Sequence, residues 1–365
     1  MSDELLTEYF RQQADEAAEP MPGRSSRSRR RRRKLVVRLA LIASLSLVVG
    51  AIAVVGGGYL VVNHLVGSIH RIPGIVALDA KDQPLVPARY GRSMTVLLTG
   101  SETEPAVRGG SGIDHSSQAP EELSGLIALV HLNASGRGGA VVSIPADALV
   151  RIPGHGRTEL WNALTIGGPS LLIETVERVT HVRVDHYSVL DFSGVDQLIG
   201  ALNGVDVDVP YTVTSDGFTF NAGTDLLTSA DVLAYVRQPG VSEIGRELLQ
   251  QNLVRAILDK LANQHLLSHF GTDWAVLHAL ASVLSVDSNF SNSQLESLAL
   301  RLGNLKGRDG TFVTAPTKNG SPQSGGTSPV VLSRLAQQLW SAIRHDSVAV
   351  FAARHPFTVT PVDPG

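Results

Sequence analysis

The 365-residue sequence contains no cysteine. This absence excludes a disulfide framework, a thiolate zinc site and a cysteine nucleophile, and it leaves the redox compartment open. The sequence also lacks a P-loop, His-Glu-x-x-His, Gly-x-Ser-x-Gly, and Gly-x-Gly-x-x-Gly after a strand. An apolar fraction of 43% and a charged fraction of 18% are still typical of a folded chain, with one large domain or two small ones.

Positive charge is scarce outside one segment. The first 34 residues carry nine Lys and Arg, and all of these except Arg11 lie between Arg24 and Lys34. Beyond residue 62 the chain has 21 basic and 28 acidic residues, a net charge of −7. The body of the chain therefore offers no general basic surface, and we expect no nucleic-acid partner.

An uncharged apolar run follows the basic segment. Leu39–Val62 contains 24 residues without a charge, and as a helix it would reach about 36 Å, enough to cross a hydrocarbon core of about 30 Å. Because Arg29–Lys34 precedes the run, the positive-inside rule places the N-terminus in the cytoplasm and exports the rest. The sequence thus predicts a cytoplasmic tail over 1–34, a transmembrane helix over 35–62 and an extracytoplasmic stalk over 63–92.

The sequence of this terminus also allows two other interpretations. An arginine-rich run in isolation is often a nucleic-acid or localisation patch, but here its position against the apolar run favours a role in topology. A cleaved signal peptide would have a shorter apolar region, and Gly57-Gly58-Tyr59 is a poor cleavage site. We therefore expect an uncleaved, single-pass anchor in the cell membrane with an extracellular C-terminal domain.

Predicted strands alternate with predicted helices through the rest of the chain, which implies a layered α/β sheet. The strands are expected at Met94–Leu98, Leu126–Leu132, Ala140–Ile144, Val182–Leu190 and Val205–Val209. The helices are expected from Gly168-Pro169-Ser170, after a cap at Asp191 or Ser193, and at Thr228–Val236, Gly245–Gln264, Trp274–Leu284, Ser293–Leu302 and Val331–Arg344. Scattered histidines, including His131, His155 and His181, show no ligand spacing, and we expect them on the surface or satisfied in the core.

Several segments, taken in order, resemble the LytR-CpsA-Psr family of bacterial cell-envelope proteins. The segments that carry the resemblance are Thr95–Glu102, Leu129–Asn133, Val142–Asp147, Asn162-Ala163 with Gly167–Pro169, Asp185–Phe192, Leu202–Val207, Leu233–Gln238 and Arg246 with Gln250-Gln251. The resemblance covers roughly 93–346 and leaves 347–365 as a C-terminal tail. It implies a three-layer α/β/α domain with a central mixed sheet, preceded by one transmembrane helix.

Members of this family transfer glycopolymers from polyisoprenyl pyrophosphate to peptidoglycan, so the resemblance implies a transferase of cell-wall biogenesis with these partners. It assigns catalytic roles to Arg237, Arg246 and Asp147 and substrate binding to Gln250 and Gln251 together with the two arginines. The chemistry suits these residue types, because arginines bind pyrophosphate oxygens in bidentate fashion and an isoprenoid tail needs an apolar slot.

The resemblance also assigns a metal ligand to Glu102 and implies Mg²⁺, which prefers carboxylate oxygens. The chain departs from the family motif around this centre. Gly125 stands where the family has a metal-binding Asp, Ala146 and Pro239 each stand where it has an Arg, and Leu160 where it has a Lys. A second hypothesis is therefore a catalytically impaired paralogue that binds lipid-linked intermediates or scaffolds envelope enzymes.

Two arrangements are predicted for the site. The helix Gly245–Gln264 should turn Leu249, Leu253 and Ile257 towards the sheet and line an elongated apolar cavity. The guanidinium groups of Arg237 and Arg246 should converge beside Gln250, with Asp147 and Glu102 within reach. Two simpler interpretations stand beside these, namely that Glu243 is only an ion-pair partner of Arg246 and that Asp147 caps a turn. Lost cations could be replaced by Arg137, Arg151, Arg157 or Arg183.

Overall fold

The computed structural model describes residues 67–75, 83–101, 126–136, 138–209, 212–236, 238, 243–263, 274–303, 310–319 and 330–359. All of them lie in one compact unit, Leu60–Gly365. The basic tail and the apolar run predicted for the first 62 residues lie outside the described residues. Within the described part of the chain, no helix is both long enough and apolar enough to span a bilayer.

Strands and helices alternate along the described chain. The strands are β1 (His70–Ile72), β2 (Met94–Ser101), β3 (Ile127–Leu132), β4 (Gly139–Ser143), β5 (Leu149–Ile152), β6 (Gly156–Glu159), β7 (His186–Asp191), β8 (Val205–Val209), β9 (Val213–Ser215), β10 (Phe218–Phe220), β11 (Gly223–Leu227), β12 (Leu284–Asp287), β13 (Gly310–Thr314), β14 (Thr317–Asn319) and β15 (Val330–Leu332). The helices are α1 (Asn162–Thr180), α2 (Val195–Ala201), α3 (Val232–Val236), α4 (Glu243–Asn263), α5 (Trp274–Val283), α6 (Asn292–Gly303), α7 (Arg334–Arg344) and α8 (Val348–Arg354).

Seven strands form a central mixed sheet in the order β1-β12-β7-β2-β3-β4-β13. β7 is parallel to β2, and β13 is parallel to β4. β3 is antiparallel to both β2 and β4, so β2, β4, β7 and β13 all run in one direction. We call the edge where these four strands end the carboxyl edge, and the edge where they begin the amino edge. The mixed α/β sheet predicted from the sequence is confirmed.

Neighbouring residues of a central strand point to opposite faces, and each face of the sheet has its own apolar core. On one face, Leu98 belongs to a cluster with side chains of α2, α3, α4 and α5. On the other face, Leu97 belongs to a cluster with α1, α7 and α8, where Trp340 is fully buried. Helices therefore pack against both faces, and short hairpins such as β5–β6 are attached around them.

The long helix α1 begins earlier than the sequence predicts and contains a kink. It starts at Asn162, and its backbone leaves helical geometry at Gly167 and Gly168, where the φ of Gly168 is 66°. Pro169 follows and has no N–H to donate, so the helix restarts there. The predicted start at Gly168-Pro169-Ser170 is thus the start of its second half.

The predicted cap of α2 is wrong. The Asp191 carboxylate accepts hydrogen bonds from the Ser193 N–H at 2.9 Å and from the Ser193 hydroxyl at 2.7 Å. The N-cap is Gly194, and no side chain caps the helix. Both polar residues form a turn of their own before the helix begins, as Asx turns do.

Two segments outside the predicted domain contribute to its core. His70–Ile72, in the stretch interpreted as a stalk, forms β1 and pairs in parallel with β12 at the edge of the sheet. Val348 and Phe351 of α8, in the stretch interpreted as a tail, are buried against the α1 and α7 face. A further strand that was not predicted from the sequence, β13, lies at the opposite edge beside β4.

Candidate functional site

The carboxyl edge brings together strand ends from distant parts of the sequence. The Gly100 N–H near the end of β2 donates to the Leu126 carbonyl at 3.1 Å, just before β3. The Ile144 N–H, just after β4, donates to the Ile127 carbonyl at 2.8 Å. In α/β sheets, ligands bind beyond the carboxyl ends of such strands.

Three motif positions adjoin these strand ends in sequence. Glu102 follows the last residue of β2, Gly125 precedes Leu126, and Asp147 follows β4 by four residues. Glu102 and Gly125 lie outside the described residues. The described strand ends that these positions adjoin lie at one edge of the sheet, and a shared site stays a prediction.

Asp147 lies in a firmly held turn. The Ala148 N–H donates to the Pro145 carbonyl at 3.0 Å, and the Leu160 and Trp161 N–H groups donate back to Ala148 and Ala146, each at 3.0 Å. The side chain of Asp147 is half-buried. These backbone hydrogen bonds fix the segment of Asp147 just beyond the end of β4, and the interpretation that its side chain caps a turn stays a prediction.

Two positions where the family has a basic residue are buried in the apolar core of this protein. Ala146 and Leu160, which stand where the family has an Arg and a Lys, are 3% and 1% exposed. Both belong to the apolar cluster of the α1 and α7 face. A charged side chain at either position would have to leave this cluster or be desolvated, because buried unpaired charges are strongly unfavourable.

Buried polar groups without partners lie on the α4 side of the sheet. Gln250 of α4 is 0% exposed, and neither atom of its amide finds a hydrogen-bond partner among the described residues. The same holds for the amide nitrogen of Gln238 and for the hydroxyl of Ser143, within the described part of the chain. Ser143 follows Val141 by two residues and so shares its face, the face that packs against α3 and α4. Buried groups of this kind are normally hydrogen-bonded, so their partners are a ligand, water or residues outside the described part.

A polar network links α4 to the neighbouring elements. Burial raises the pKa of Tyr235 in α3 to about 12, although the nearby Asn252 of α4 lowers it, and the Tyr235 hydroxyl has no hydrogen-bond partner among the described residues. The Asn252 amide donates to the Asp208 carbonyl at 2.9 Å. Arg255, 8% exposed in its side chain, pairs with the Asp208 carboxylate at 2.7 Å. Because the pKa of Tyr235 lies far above 7, its hydroxyl stays protonated at neutral pH and remains a donor.

This network was not predicted from the sequence, although the sequence contains a signal for it. Asn252, Arg255 and Asp259 recur at helical spacing on one face of α4, beside the stripe of leucines. Burial raises the pKa of Asp259, while the nearby Arg255 lowers it. The network fixes α3, which leads into Arg237, against α4, which carries Arg246 and Gln250.

The predicted packing of α4 is confirmed. Leu249, Leu253 and Ile257 are buried in the same cluster as Leu98 and Val141 of the sheet. The elongated cavity that we expected beside them stays a prediction.

The predicted site residues fall into two groups. Arg237 lies outside the described residues, and Arg246 and Gln251 lie in α4 with only their backbone described. Arg246 is one turn before Gln250, so the two share a helix face. The predicted convergence of Arg237 and Arg246 stays a prediction, as does the metal role of Glu102.

The described residues do not form a metal site by themselves. Among them, no group of three or more His, Asp or Glu side chains lies close enough to hold an ion. The sites for Mg²⁺ that the resemblance implies include Gly125, which has no side-chain oxygen to offer. Of the two carboxylates expected near the metal, Glu102 and Asp147, only Asp147 lies in the described part of the chain.

The model of the LytR_cpsA_psr family matches residues 77–333, and the chain belongs to this family. It is 28% identical over 253 residues to the polyisoprenyl-teichoic acid–peptidoglycan teichoic acid transferase TagU of Halalkalibacterium halodurans, covering 68% of this chain and 80% of that protein. It is 31% identical over 177 residues to the transferase TagT of Bacillus subtilis, covering 46% of this chain and 52% of TagT. The match to TagU of Enterococcus faecalis spans 54% of that relative.

Solved structures agree on the fold. The crystal structure of B. subtilis TagT has a TM-score of 0.53 and 23% sequence identity, covering 76% of this chain and 99% of TagT. The crystal structure of B. subtilis TagV has a TM-score of 0.53 and 19% identity, covering 71% of this chain and 98% of TagV. The central mixed sheet and its helices are therefore the fold of this family.

Proposed function

We propose that the protein is a cell-envelope transferase that moves a glycopolymer from a polyisoprenyl pyrophosphate carrier to peptidoglycan. The observation that carries this proposal is the family match over residues 77–333, which includes the carboxyl edge and α4. Relatives with this match are named teichoic acid transferases, and one TagT structure is described as bound to LI-WTA. The buried amide of Gln250, which has no partner within the described ranges, supports a polar ligand on this face.

The proposed location is the outer side of the cell membrane. Leu39–Val62 would anchor the chain, and Arg29–Lys34 would keep the N-terminus in the cytoplasm. A reporter fused after residue 365 should then be active only in an exported compartment. Activity of a cytoplasm-only reporter at that position would contradict the proposal.

The proposed division of labour follows the chemistry of the residues. Arg237 and Arg246 would bind phosphate oxygens, and the Gln250 amide would donate a further hydrogen bond from inside the helical layer. The leucines of α4 would contact the isoprenoid tail. Mg²⁺, if bound by Glu102 and Asp147, would neutralise developing negative charge on the pyrophosphate.

Hydrolysis of a polyisoprenyl pyrophosphate by the full-length protein in detergent tests this proposal. We expect turnover that requires Mg²⁺ and stops with a chelator. Replacing Arg246 with alanine should weaken lipid binding by about 1.5–3 kcal/mol, roughly ten- to a hundred-fold, because a charge-assisted hydrogen bond is lost. Arg354→Ala, at an exposed helix end, is the matched control and should bind like the wild type. Equal affinity in Arg246→Ala would remove this arginine from the site.

A specific observation favours a second candidate, a paralogue that binds lipid-linked intermediates without efficient turnover. Ala146 and Leu160 fill the positions of two family cations with apolar core. If lost ligands limit the chemistry, Gly125→Asp should raise Mg²⁺-dependent hydrolysis, whereas Gly125→Asn should do so less because an amide is a weaker ligand for this ion. Tight binding of the lipid with no turnover in either variant would support the paralogue.

A further inference from the structure

The hairpin β5–β6 carries two arginines that lie opposite each other and form no ion pair with the described residues. Its register sets Arg151 of β5 directly opposite Arg157 of β6, and both side chains are exposed. Like charges directly opposite each other in an antiparallel pair destabilise it. Neither guanidinium forms an ion pair or hydrogen bond with any residue that the structure describes.

The nearest acidic residue of the hairpin forms a hydrogen bond with a tryptophan and not with an arginine. Glu159 lies diagonally across from Arg151, on the same face, because it pairs with Leu149. Its carboxylate accepts a hydrogen bond from the Trp161 indole N–H at 2.6 Å. The turn between the strands adds His155, which is exposed, and no further acid. Glu159 keeps its negative charge but forms no ion pair with either arginine among the described residues, so the outer face of the hairpin carries two positive charges against one negative charge.

The hairpin holds these groups in a fixed place. Val150 and Ile152 alternate with Arg151 and are buried in the core beneath α1 and α7. β5 begins two residues after Asp147, so Arg151 lies within about 14 Å of the candidate site along the chain. Leu160, at the position of the lost lysine, directly follows β6. Positive charge that is absent from Ala146 and Leu160 is thus present on the adjoining hairpin.

We propose that Arg151 and Arg157 form a binding site for a phosphodiester of the glycopolymer, outside the pyrophosphate site. The proposal rests on the proposed function for the identity of the polymer. Two forked guanidinium groups side by side match the oxygens of a phosphate, each in bidentate geometry. The site would hold the part of the polymer that extends away from the carrier lipid.

A membrane surface fits this hairpin less well. Membrane-binding segments combine basic residues with exposed large apolar side chains that enter the bilayer interface. Among the described residues, the exposed large apolar side chains are Leu85, Ile166, Phe218, Leu226, Val350 and Phe357, and none belongs to the hairpin. The charge of the hairpin is therefore suited to a soluble anionic chain.

The test measures binding of a synthetic glycerol phosphate oligomer to the full-length protein in detergent. The double variant Arg151→Gln/Arg157→Gln should bind it about ten-fold more weakly, with a smaller dependence on salt, since charge-assisted contacts are lost. The control Arg92→Gln/Arg354→Gln removes the same charge from two other exposed arginines and should bind like the wild type. Arg151→Lys/Arg157→Lys should fall between, because ammonium groups lack the fork.

Several outcomes would overturn the proposal. Equal oligomer affinity in the pair variant and its control would do so, as would equal affinity of the wild type for an uncharged polyglycerol of the same length. Loss of binding to anionic vesicles in the pair variant, with oligomer binding unchanged, would assign the pair to the membrane instead. Lipid pyrophosphate hydrolysis is measured in parallel. If hydrolysis persists and the double variant binds the oligomer as the wild type does, only this inference fails. If hydrolysis is absent and the double variant binds the oligomer more weakly, only the proposed function fails.

Discussion

The two edges of the central sheet differ in whether their buried polar groups have hydrogen-bond partners among the described residues. At the amino edge, His131 bridges the Thr95 hydroxyl at 2.9 Å and the Asp346 carboxylate at 2.8 Å. At the same edge, His186 lies 3.1 Å from Asp287 and stacks on a phenylalanine ring. At the carboxyl edge, by contrast, the Ser143 hydroxyl is buried with no partner among the described residues.

The difference separates polar groups that stabilise the fold from polar groups available to a ligand. A buried donor or acceptor is unfavourable unless something pairs with it. The amino edge supplies that partner from within the protein. On the face of Ser143 and Gln250, the described residues supply no such partner, which leaves these groups available to a ligand. Three predictions follow from this comparison, in order of expected effect on stability.

The largest effect is expected at the amino edge. Asp346→Ala leaves the His131 ring and the Ala134 N–H without their acceptor, which is 2.8 Å and 2.7 Å away in the wild type. The residue also has a φ of 51°, which alanine tolerates poorly. We expect a loss of about 4 kcal/mol in the free energy of unfolding, measured in urea.

The matched control is Asp216→Ala, because Asp216 has a φ of 49° but is exposed and outside the network. It should lose about 1 kcal/mol. Burial opposes ionisation of Asp346, but hydrogen bonds from His131 and Ala134 outweigh it and keep its pKa below the ordinary value. Its stabilisation should therefore be present above about pH 4 and lost as the pH falls through the folded-state pKa. Equal losses in the two variants would show that the network contributes nothing.

The second prediction concerns the exception at the amino edge. Burial raises the pKa of Glu177 from 4.5 to about 7, although the Val184 N–H donates to one carboxylate oxygen. The folded state then binds this proton more tightly than the unfolded state. Stability is greatest below the unfolded pKa and declines as the pH rises through the folded one, by about 3 kcal/mol in total.

Glu177→Gln should remove this decline, because glutamine does not titrate. Its amide oxygen can still accept the same N–H. Urea unfolding at pH 5 and pH 8 measures it. Glu174→Gln, one turn earlier in α1, is the control and should keep the wild-type pH dependence. A decline that survives in Glu177→Gln would assign it to another group.

The sequence reveals the two edges unequally. The apolar runs at Met94–Leu98 and Ala140–Ile144 predicted central strands because fully buried strands have a local signature. The expectation that His131 is satisfied in the core is confirmed, as is surface exposure of His155 and His181. The partner of His131 could not be found from the sequence, because Asp346 is 215 residues away.

Other elements have no local signal. β1 has the sequence His-Arg-Ile and is a strand only because it pairs with β12. The motif identified Gln250 as a site residue, but its complete burial depends on how α4 packs against α3 and the sheet. The kink at Gly168 required knowing that the helix continues on both sides of Pro169.

The third prediction tests the comparison itself on one helix. Asn252 and Gln250 are both buried amides of α4, but Asn252 donates to the Asp208 carbonyl while Gln250 has no partner in the described part of the chain. Replacing a paired amide leaves an acceptor unsatisfied, whereas replacing an unpartnered one does not. Replacing Asn252 should therefore lower the stability of the fold, whereas replacing Gln250 should weaken ligand binding and leave the stability nearly unchanged.

The most direct measurement is urea unfolding of Gln250→Met and Asn252→Leu, with binding of a polyisoprenyl pyrophosphate measured on the same full-length samples. Gln250→Met should change the free energy of unfolding by less than about 1 kcal/mol and weaken lipid binding at least about ten-fold. Asn252→Leu should lose about 2 kcal/mol of stability. A loss of about 2 kcal/mol or more in Gln250→Met, with lipid affinity unchanged, would contradict the assignment of this face to a ligand.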